Sequence, residues 1–594
     1  MYPNLKILEM SVQGRMITLA VRIKTQMDIR VRSPKVRIVF RSGEQIRRLP
    51  MLIESIQATQ NMNECIIYAK YQYSVPDVFL PFDPNRMITF SFDLHYGKDY
   101  YENVEFNLSR DIKLENEFYN IIIEEDNKHF SLLSNQFINE KANGNKKLKL
   151  IKKVLSKCYS AFLFLFSVCL TPFYVIDAVA AKAGITDKNK QNQAKGLKWF
   201  LSHIRWRFCT IYKKNISLRQ FREWYLLHTF RKYSKEKVQM NRVTFLSSRR
   251  TDMTGNQAFV YNKIKDNQDL EIRILLDPSP FGKMKLSNIK RLSYLCATSR
   301  VLLIDDFFPI LNKYELREQT KLIQLWHACG AFKTFGFTRL GKKGGPTQQS
   351  KNHRNYDYAI VSSQEIAKFY AEGFGIDEDK VIATGVPRTD IFFDDSYKTR
   401  VVDEFYTNYP ELREKKILLF APTFRGNGKE SAYYPLNRFD AVQVYEALNA
   451  EYAILVKHHP FVKNASVIPE EYKDYIINMS DQSEINDLLF VADLVVTDYS
   501  SLVFEASLLD IPMLFYAYDL NRYIATRDFY YEYELFVPGK IVQSQASLIT
   551  AIKNKDFEQE KIETFKHQFF DELDGKSTDR VLEMIYQIVR DEPV

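Results

Sequence analysis

Cysteine is scarce and scattered in this chain. Cys65, Cys158, Cys169, Cys209, Cys296 and Cys329 are spread over 594 residues with no CxxC pair. That pattern argues against a disulfide framework or a zinc site and suits a reducing compartment. No other cluster has metal-ligand spacing, so no metal and no cofactor is expected; Asp305–Asp306, at the end of an apolar run, is an adjacent acidic pair and weak evidence for a metal. The sequence also lacks GxxxxGK(S/T): its GKKGG run, Gly341–Gly345, reads as a flexible basic loop able to cover an anionic substrate, not as a P-loop. The Met1 end is polar and charged, so no secretory signal peptide is expected.

What is present is the composition of a folded protein, 45% apolar and 26% charged, with 43 Phe and 36 Tyr. The length allows several domains. The net charge of +10 is unevenly spread. Residues 182–250 hold 18 Lys and Arg against three Asp and Glu, and residues 146–157 add six lysines, which leaves the rest of the chain near −11.

Residues 1 to about 130 read as short alternating strands, among them LKILEMSVQGRMITLAVRI, KVRIVFRS, ECIIYAKYQY and MITFSFDLHY, and predict an all-β sandwich without a catalytic constellation. After a polar stretch, Leu148, Ile151, Leu155 and Tyr159 fall at helical spacing with lysines on the other faces. The 19 uncharged residues Cys158–Ile176 approach the length of a membrane span, but Pro172 interrupts them and lysines flank both sides. The favoured reading is a helix lying in the membrane surface and drawn down by its lysines; a core helix with a solvated basic face is the alternative. Trp199, Trp206 and Trp224 among Lys and Arg extend this character to about residue 240. Basic residues interleaved with aromatics can also mark nucleic acid, but the apolar neighbour favours the interface.

From about residue 241 short apolar strands alternate with helices. RVTFLSS, LEIRILLD, RVLLIDD and TKLIQLW form one series; YAIVSS, KVIATG, KILLFAP, YAILVKHHP, DLVVTDYSS and IPMLFYA follow. Helices are expected at 254–266, 284–298, 364–373, 440–450 and 484–491. The span is too long for one sheet, so two parallel-sheet domains facing a cleft are expected, with ligands at the carboxyl ends of the strands.

Three motifs sit at such ends. In QLWHACGAFK, His327 could take a proton from a hydroxyl near neutral pH, and the small Ala328, Cys329, Gly330 and Ala331 would let a ligand approach the backbone. In LVKHHPF, His459 could donate to a phosphate oxygen, while His458 points to the opposite face and is expected to be structural. In VVTDYSSLVFE, Ser500 and Ser501 open a helix whose free N–H groups favour phosphate, and Glu505, one turn on, suits ribose hydroxyls. Ordinary N-capping would also place serines there. Arg388 after GVP, and Pro422, Thr423 and Arg425 in PTFRG, fit the same cleft.

Together these runs, with SSRRTDMTGN, LIDDFFP, NHRNYDYAIVSS, GVPRTDIFFD, ILLFAPTFRGNG, HPFVKN and TRDFYYEYELFVPGKIVQS, resemble the CDP-glycerol glycerophosphotransferase family of wall teichoic acid synthesis over roughly residues 241–590. FAPTFRGNG, FVPGKIVQS and Glu505 resemble its ribitol-phosphate polymerase branch; the glycerol branch generally carries Asp at the last position. Ala328–Cys329 departs from the GlyThr usual in the glycerol branch. The resemblance implies an α/β GT-B fold of two Rossmann-like domains (acceptor domain 241–398, CDP-donor domain 399–594) and a membrane-associated segment; the residue patterns place before them a β-sandwich (1–135) and a basic, amphipathic helical membrane-associating region (136–240). It implies transfer of ribitol phosphate from CDP-ribitol to a hydroxyl of a teichoic acid acceptor with release of CMP, CDP-glycerol being the alternative donor. His327 resembles the family's general base and His459 its second essential histidine. Trp326, Ala328, Cys329, Gly330, Arg388, Pro422, Thr423, Ser500, Ser501 and Glu505 match positions lining the CDP-alditol site; Arg425 is added from its place in the same loop. The partners expected are the donor, an undecaprenyl-linked polyanionic acceptor, the membrane surface and a second copy in a homo-oligomer, with no nucleic acid. The place expected is the cytoplasmic face of a Gram-positive cell membrane, held peripherally. A nucleotide-sugar glycosyltransferase and a non-catalytic membrane scaffold are the rival readings.

Overall fold

A computed structural model of the protein describes residues 3–13, 16–26, 34–42, 45–59, 64–74, 88–96, 99–104, 106–107, 112–115, 120–123, 129–133 and 218–594, except 342–344, 427–430, 465–467, 482–483 and 527–528. The basic stretch 134–217, including Cys158–Ile176, lies outside these residues, as does the centre of the Gly341–Gly345 loop. Among the described residues no helix is long and apolar enough to cross a membrane.

The N-terminal strands form two sheets. The first has the order 52–58, 64–74, 16–26, 4–13, 106–107; the second runs 112–115, 120–123, 129–133, 88–96, 35–42, 45–50, with 99–104 also pairing with 88–96. Pairing is antiparallel except between the 4–13 and 106–107 strands. Alternation decides which side chains turn inward: Leu5 and Ile7 are buried, whereas Asn4, Lys6 and Leu8 are exposed. Leu5, Leu19, Val21 and Ile23 from one sheet and Val36, Ile38, Phe40, Phe92 and Leu94 from the other share one core, as expected of a sandwich.

The remainder is built on two six-stranded parallel sheets. In the first the order is 271–276, 239–247, 299–304, 321–324, 358–360, 381–382. Its strands are apolar without alternation because both faces are covered. Leu246, Leu302, Ile304 and Leu322 face one core, and Val243, Phe245, Val301, Leu303 and Ile323 face another. The latter face is covered by the C-terminal helix Ser577–Arg590, whose Val581, Leu582, Met584, Ile585 and Ile588 form a stripe at helical spacing. Asp390 accepts hydrogen bonds from the first two amides of that helix, Ser577 at 2.9 Å and Thr578 at 2.8 Å. The helix Leu218–Tyr233 buries Leu226 and Phe230, the latter 4.5 Å from the Tyr314 ring.

In the second sheet the order is 476–478, 452–456, 416–420, 494–497, 513–516, 540–542. Numbered within the sheet this is 3-2-1-4-5-6, the Rossmann order, whose direction reverses between the 416–420 and 494–497 strands. One apolar core continues from the first sheet into the second through Phe332, Phe504, Phe529 and Phe536. All five expected helices are present, at Gly255–Ile264, Leu286–Thr298, Ala367–Phe374, Ala441–Ala447 and Ile485–Leu489. The strands Ile476–Asn478 and Lys540–Val542 were not expected; they are three residues long and lie at the sheet edges.

Candidate active site

The strand Lys321–Gln324 ends two residues before a backbone oddity. Trp326 has φ +51°, a left-handed conformation that a bulky side chain adopts at a cost. It is held there by hydrogen bonds: its N–H donates to Gln324 Oε1 at 2.9 Å, and its carbonyl accepts from Asn256 Nδ2 at 2.9 Å. The turn puts the indole against the His327 ring, with centroids 4.4 Å apart. His327 Nδ1 lies 3.4 Å from the Asp305 carbonyl oxygen and 3.9 Å from Asp306 Oδ2. A carbonyl can only accept, so Nδ1 carries the proton and Nε2 is left as the basic nitrogen. The His327 pKa lies below the usual histidine value; burial is the largest cause, Arg249 and Arg388 push the same way, and Asp306 and the Asp305 carbonyl oppose them.

Asp305 and Asp306 each carry an arginine partner. Arg250 Nε is 2.6 Å from Asp305, and Arg249 pairs with Asp306. These residues sit where the first sheet reverses direction, between strands 239–247 and 299–304.

At the reversal of the second sheet, Thr423 donates to Asp498 Oδ1 from both its amide (2.8 Å) and its hydroxyl (2.7 Å). This joins the Pro422–Thr423 loop to the loop bearing Ser500 and Ser501. Ser500 Oγ accepts from the Leu502 amide at 3.2 Å, and Ser501 occupies the N-cap position of the helix Leu502–Leu508 without capping it through its side chain. Arg425 is a strut within this unit. Its guanidinium donates to both Asp519 carboxylate oxygens, at 2.7 and 2.8 Å, and to the Thr423 carbonyl at 2.8 Å, lies 3.0 Å from Asp498, and is ringed by Tyr434, Tyr499, Tyr518 and Tyr523. Its donors are engaged by Asp519 and Thr423, where the sequence suggested a ligand contact.

The two consecutive histidines diverge. His458 is buried against the Tyr434 ring, 5.3 Å between centroids. His459 is exposed, its ring between Phe424 (4.9 Å) and Phe461 (4.5 Å). His459 Nδ1 accepts from the Phe461 amide at 3.1 Å. An amide can only donate, so in the neutral ring Nε2 carries the proton, the reverse of His327. The His459 pKa is lowered by partial burial and then by Lys333 and Arg249, both from the first unit. Arg249 therefore acts on both histidines, one from each unit.

Three contacts close the base of the cleft. Arg388, after the last strand of the first sheet, pairs with Glu505 on the Leu502–Leu508 helix. Cys329 is buried beside both, and burial pushes its thiol pKa up. Gly330, at φ +58°, lies against Phe504; a Cβ there would enter the Phe504 ring. The small residue at 330 thus admits a side chain of the second unit, where a ligand had been expected. Tyr370 fixes the same loop, its hydroxyl donating to the Gly330 carbonyl at 2.9 Å and lying 3.3 Å from that of Ala328.

One central residue went unrecognised in the sequence. Asn256 is 1% exposed; its Nδ2 donates to the Leu325 (3.0 Å) and Trp326 carbonyls, and its Oδ1 accepts from the Arg388 amide at 3.0 Å. It ties the His327 loop to the Arg388 loop. Arg249 and Lys333 were also missed. Asn256 and Arg249 lie in the SSRRTDMTGN run, but nothing in the run shows what they touch.

Comparison with known proteins places this geometry in a family. Residues 227–587 match the family model described as CDP-glycerol:poly(glycerophosphate) glycerophosphotransferase. The chain is 48% identical over 358 residues to a teichoic acid poly(ribitol-phosphate) polymerase of Bacillus spizizenii, a match covering 60% of this chain and 58% of that protein. It is 44% identical over 349 residues to the teichoic acid ribitol-phosphate polymerase TarK of Staphylococcus aureus, covering 58% of this chain and 68% of that one. The fold is similar to the solved structure of the wall teichoic acid polymerase TagF, with a TM-score of 0.51 at 22% identity over 63% of this chain and 97% of the other. The match spans 61% of the residues, and the chain belongs to the CDP-glycerol:poly(glycerophosphate) glycerophosphotransferase family.

Proposed function

We propose that this protein transfers ribitol phosphate from CDP-ribitol to a hydroxyl of a lipid-linked teichoic acid acceptor, releasing CMP. What supports the reading is a histidine beyond a strand end in each parallel-sheet unit, their neighbours favouring a basic Nε2 on His327 and an Nε2–H on His459, with Arg249 acting on both. The acceptor hydroxyl attacks the phosphorus that bears ribitol, and His327 Nε2 accepts its proton. A new P–O bond forms to the acceptor while the bond to the bridging oxygen of the pyrophosphate breaks, and CMP departs with that oxygen. His459 Nε2–H and Arg388 stabilise the charge that develops on the phosphates, the main contribution in this class of reaction.

In this reading the two parallel-sheet units are the domains of a GT-B fold. The first, about 241–398, takes the acceptor, and the second, about 399–594, takes the donor. Ser500 and Ser501 offer donors to the pyrophosphate and Glu505 accepts from donor hydroxyls. Trp326 and Ala328–Gly330 shape the cleft floor. Arg425 acts by holding Pro422–Thr423 against the Asp498 loop. Ribitol is preferred to glycerol because the two relatives compared above by sequence, at 48% and 44% identity, are ribitol-phosphate polymerases.

The enzyme works at the cytoplasmic face of the membrane, held there peripherally. Two features support this: the 24 Lys and Arg within 146–157 and 182–250, and the exposed aromatic face of the Leu218–Tyr233 helix, where Trp224 is 57% exposed beside Phe221. The test is CMP release by the purified protein with a lipid-linked acceptor and CDP-ribitol or CDP-glycerol in parallel. CMP from CDP-ribitol is the expected result. CMP from glycerol alone overturns the ribitol assignment, and none from either donor overturns the reaction.

A further inference from the structure

The N-terminal sandwich meets the α/β body through buried charge. Arg37, on the strand Lys35–Ser42, is 1% exposed and donates from Nε to Glu372, itself 2% exposed, on the Ala367–Phe374 helix. On the neighbouring strand, Arg47 holds Asp377 through two hydrogen bonds of 2.6 and 3.0 Å, and Arg48 pairs with Glu378. Lys35 reaches the other unit: its Nζ donates to the Phe529 carbonyl at 3.1 Å and lies 5.1 Å from the centre of the Tyr530 ring.

The helix that Arg37 grips supports the His327 loop. Two residues before Glu372, Tyr370 bonds the Gly330 and Ala328 carbonyls. Two residues after it, Phe374 packs edge-on against Trp326 at 5.1 Å, and the Trp326 ring lies tilted against that of His327 at 4.4 Å. A buried ion pair contributes little net stability, because both charges lose their hydration. What it does impose is geometry, since either charge left alone in the interior is costly.

We propose that Arg37 and Glu372 are positioning residues for the transfer reaction: the pair fixes the Ala367–Phe374 helix and, through Tyr370 and Phe374, the seat of His327. The sandwich is then a buttress of the cleft and not a separate binding module. The kinetic part of this inference rests on the function proposed above.

The test uses the full chain with Arg37→Met and Glu372→Gln, and Arg41→Gln as a control whose side chain bonds Ser91 within the sandwich. Two quantities are measured well below each variant's melting temperature: kcat and donor KM for CMP release, and hydrogen exchange of the peptide covering 326–331. A shifted base should cost about tenfold in kcat with donor KM within about twofold. Exchange should quicken at 326–331 and at 367–374 in both variants and not in the control. Should Arg37→Met fail to fold, Arg37→Lys, which keeps the charge but not the guanidinium geometry, carries the same measurements. Unchanged kcat and unchanged exchange at 326–331 would overturn the buttress. If the wild-type protein releases no CMP, the proposed function fails, while exchange at 326–331 still decides whether the sandwich holds the loop.

Discussion

Arg388 and Glu505 form an ion pair at the base of the cleft that joins the two parallel-sheet units. Arg388 enters from the first unit and Glu505, 2% exposed, from the second. Glu505 Oε2 and Arg388 Nε are buried without a hydrogen-bond partner among the described residues. The pair is enclosed in the protein, with the Cys329 thiol beside it. Its charge matters as much as its contacts, because removing one partner leaves the other buried alone.

Shortening the acid tests the donor assignment. Glu505→Asp keeps the charge but withdraws the carboxylate by one methylene, giving the residue that the glycerol branch generally carries. The ratio of kcat/KM for CDP-ribitol to that for CDP-glycerol should fall by about tenfold, equivalent to one hydrogen bond of ordinary strength. Parallel CMP-release assays on the two donors measure it. An unchanged ratio would remove Glu505 from alditol selection.

Gly330 is fixed by Phe504. Gly330→Ala would place a methyl group inside the ring and impose a left-handed φ on a residue that resists it. Turnover should fall by at least about tenfold, with a lowered melting temperature. Because Phe504 is itself core, the clash is read from non-additivity: Gly330→Ala should lower the melting temperature less in a Phe504→Ala background than in the wild type. That difference separates crowding from a direct loss of ligand contact.

The layered fold was legible because buried parallel strands are unbroken apolar runs and polar groups concentrate at their ends. His327, His459 and Ser500 could be found for that reason. The partners of these residues could not. Asn256 is one amide in a polar run, and its importance comes from meeting Leu325, Trp326 and Arg388, which are 69 or more positions away. Arg425 reads as a cleft residue from its place in the PTFRG loop after a strand; Asp519, 94 residues on, turns it inward. Glu372 gave no signal, since its partner lies 335 residues earlier, in the N-terminal sheets.

Asn256 should therefore behave as a site residue. Asn256→Ala leaves two carbonyls and the Arg388 amide without their partner and should cost about 1–3 kcal/mol of stability. Asn256→Asp keeps an acceptor for Arg388 but sets a carboxylate against the Leu325 and Trp326 carbonyls. At pH 7 it should be the more damaging of the two, in both melting temperature and kcat. An Asn256→Asp variant close to wild type beside a damaged Asn256→Ala would mean that only the bond to Arg388 matters.

The pH dependence of turnover follows from the charges around His327. A general base works when unprotonated, so kcat is lost as pH falls through the His327 pKa. Burial, Arg249 and Arg388 lower that pKa, and Asp306 only partly offsets them. The acid limb of the profile should therefore lie below about 6.5, the ordinary histidine value. Arg249→Gln removes a cation that disfavours imidazolium and leaves Asp306 without that partner. Both changes raise the His327 pKa, so the acid limb should move to higher pH, with activity least affected where the base remains neutral. His327→Asn should lower kcat by about 10²–10⁴ and abolish the limb. A limb that persists in His327→Asn would assign the titration to another group, with His459 the first candidate because Arg249 lowers its pKa as well; a limb that moves to lower pH in Arg249→Gln would exclude both histidines.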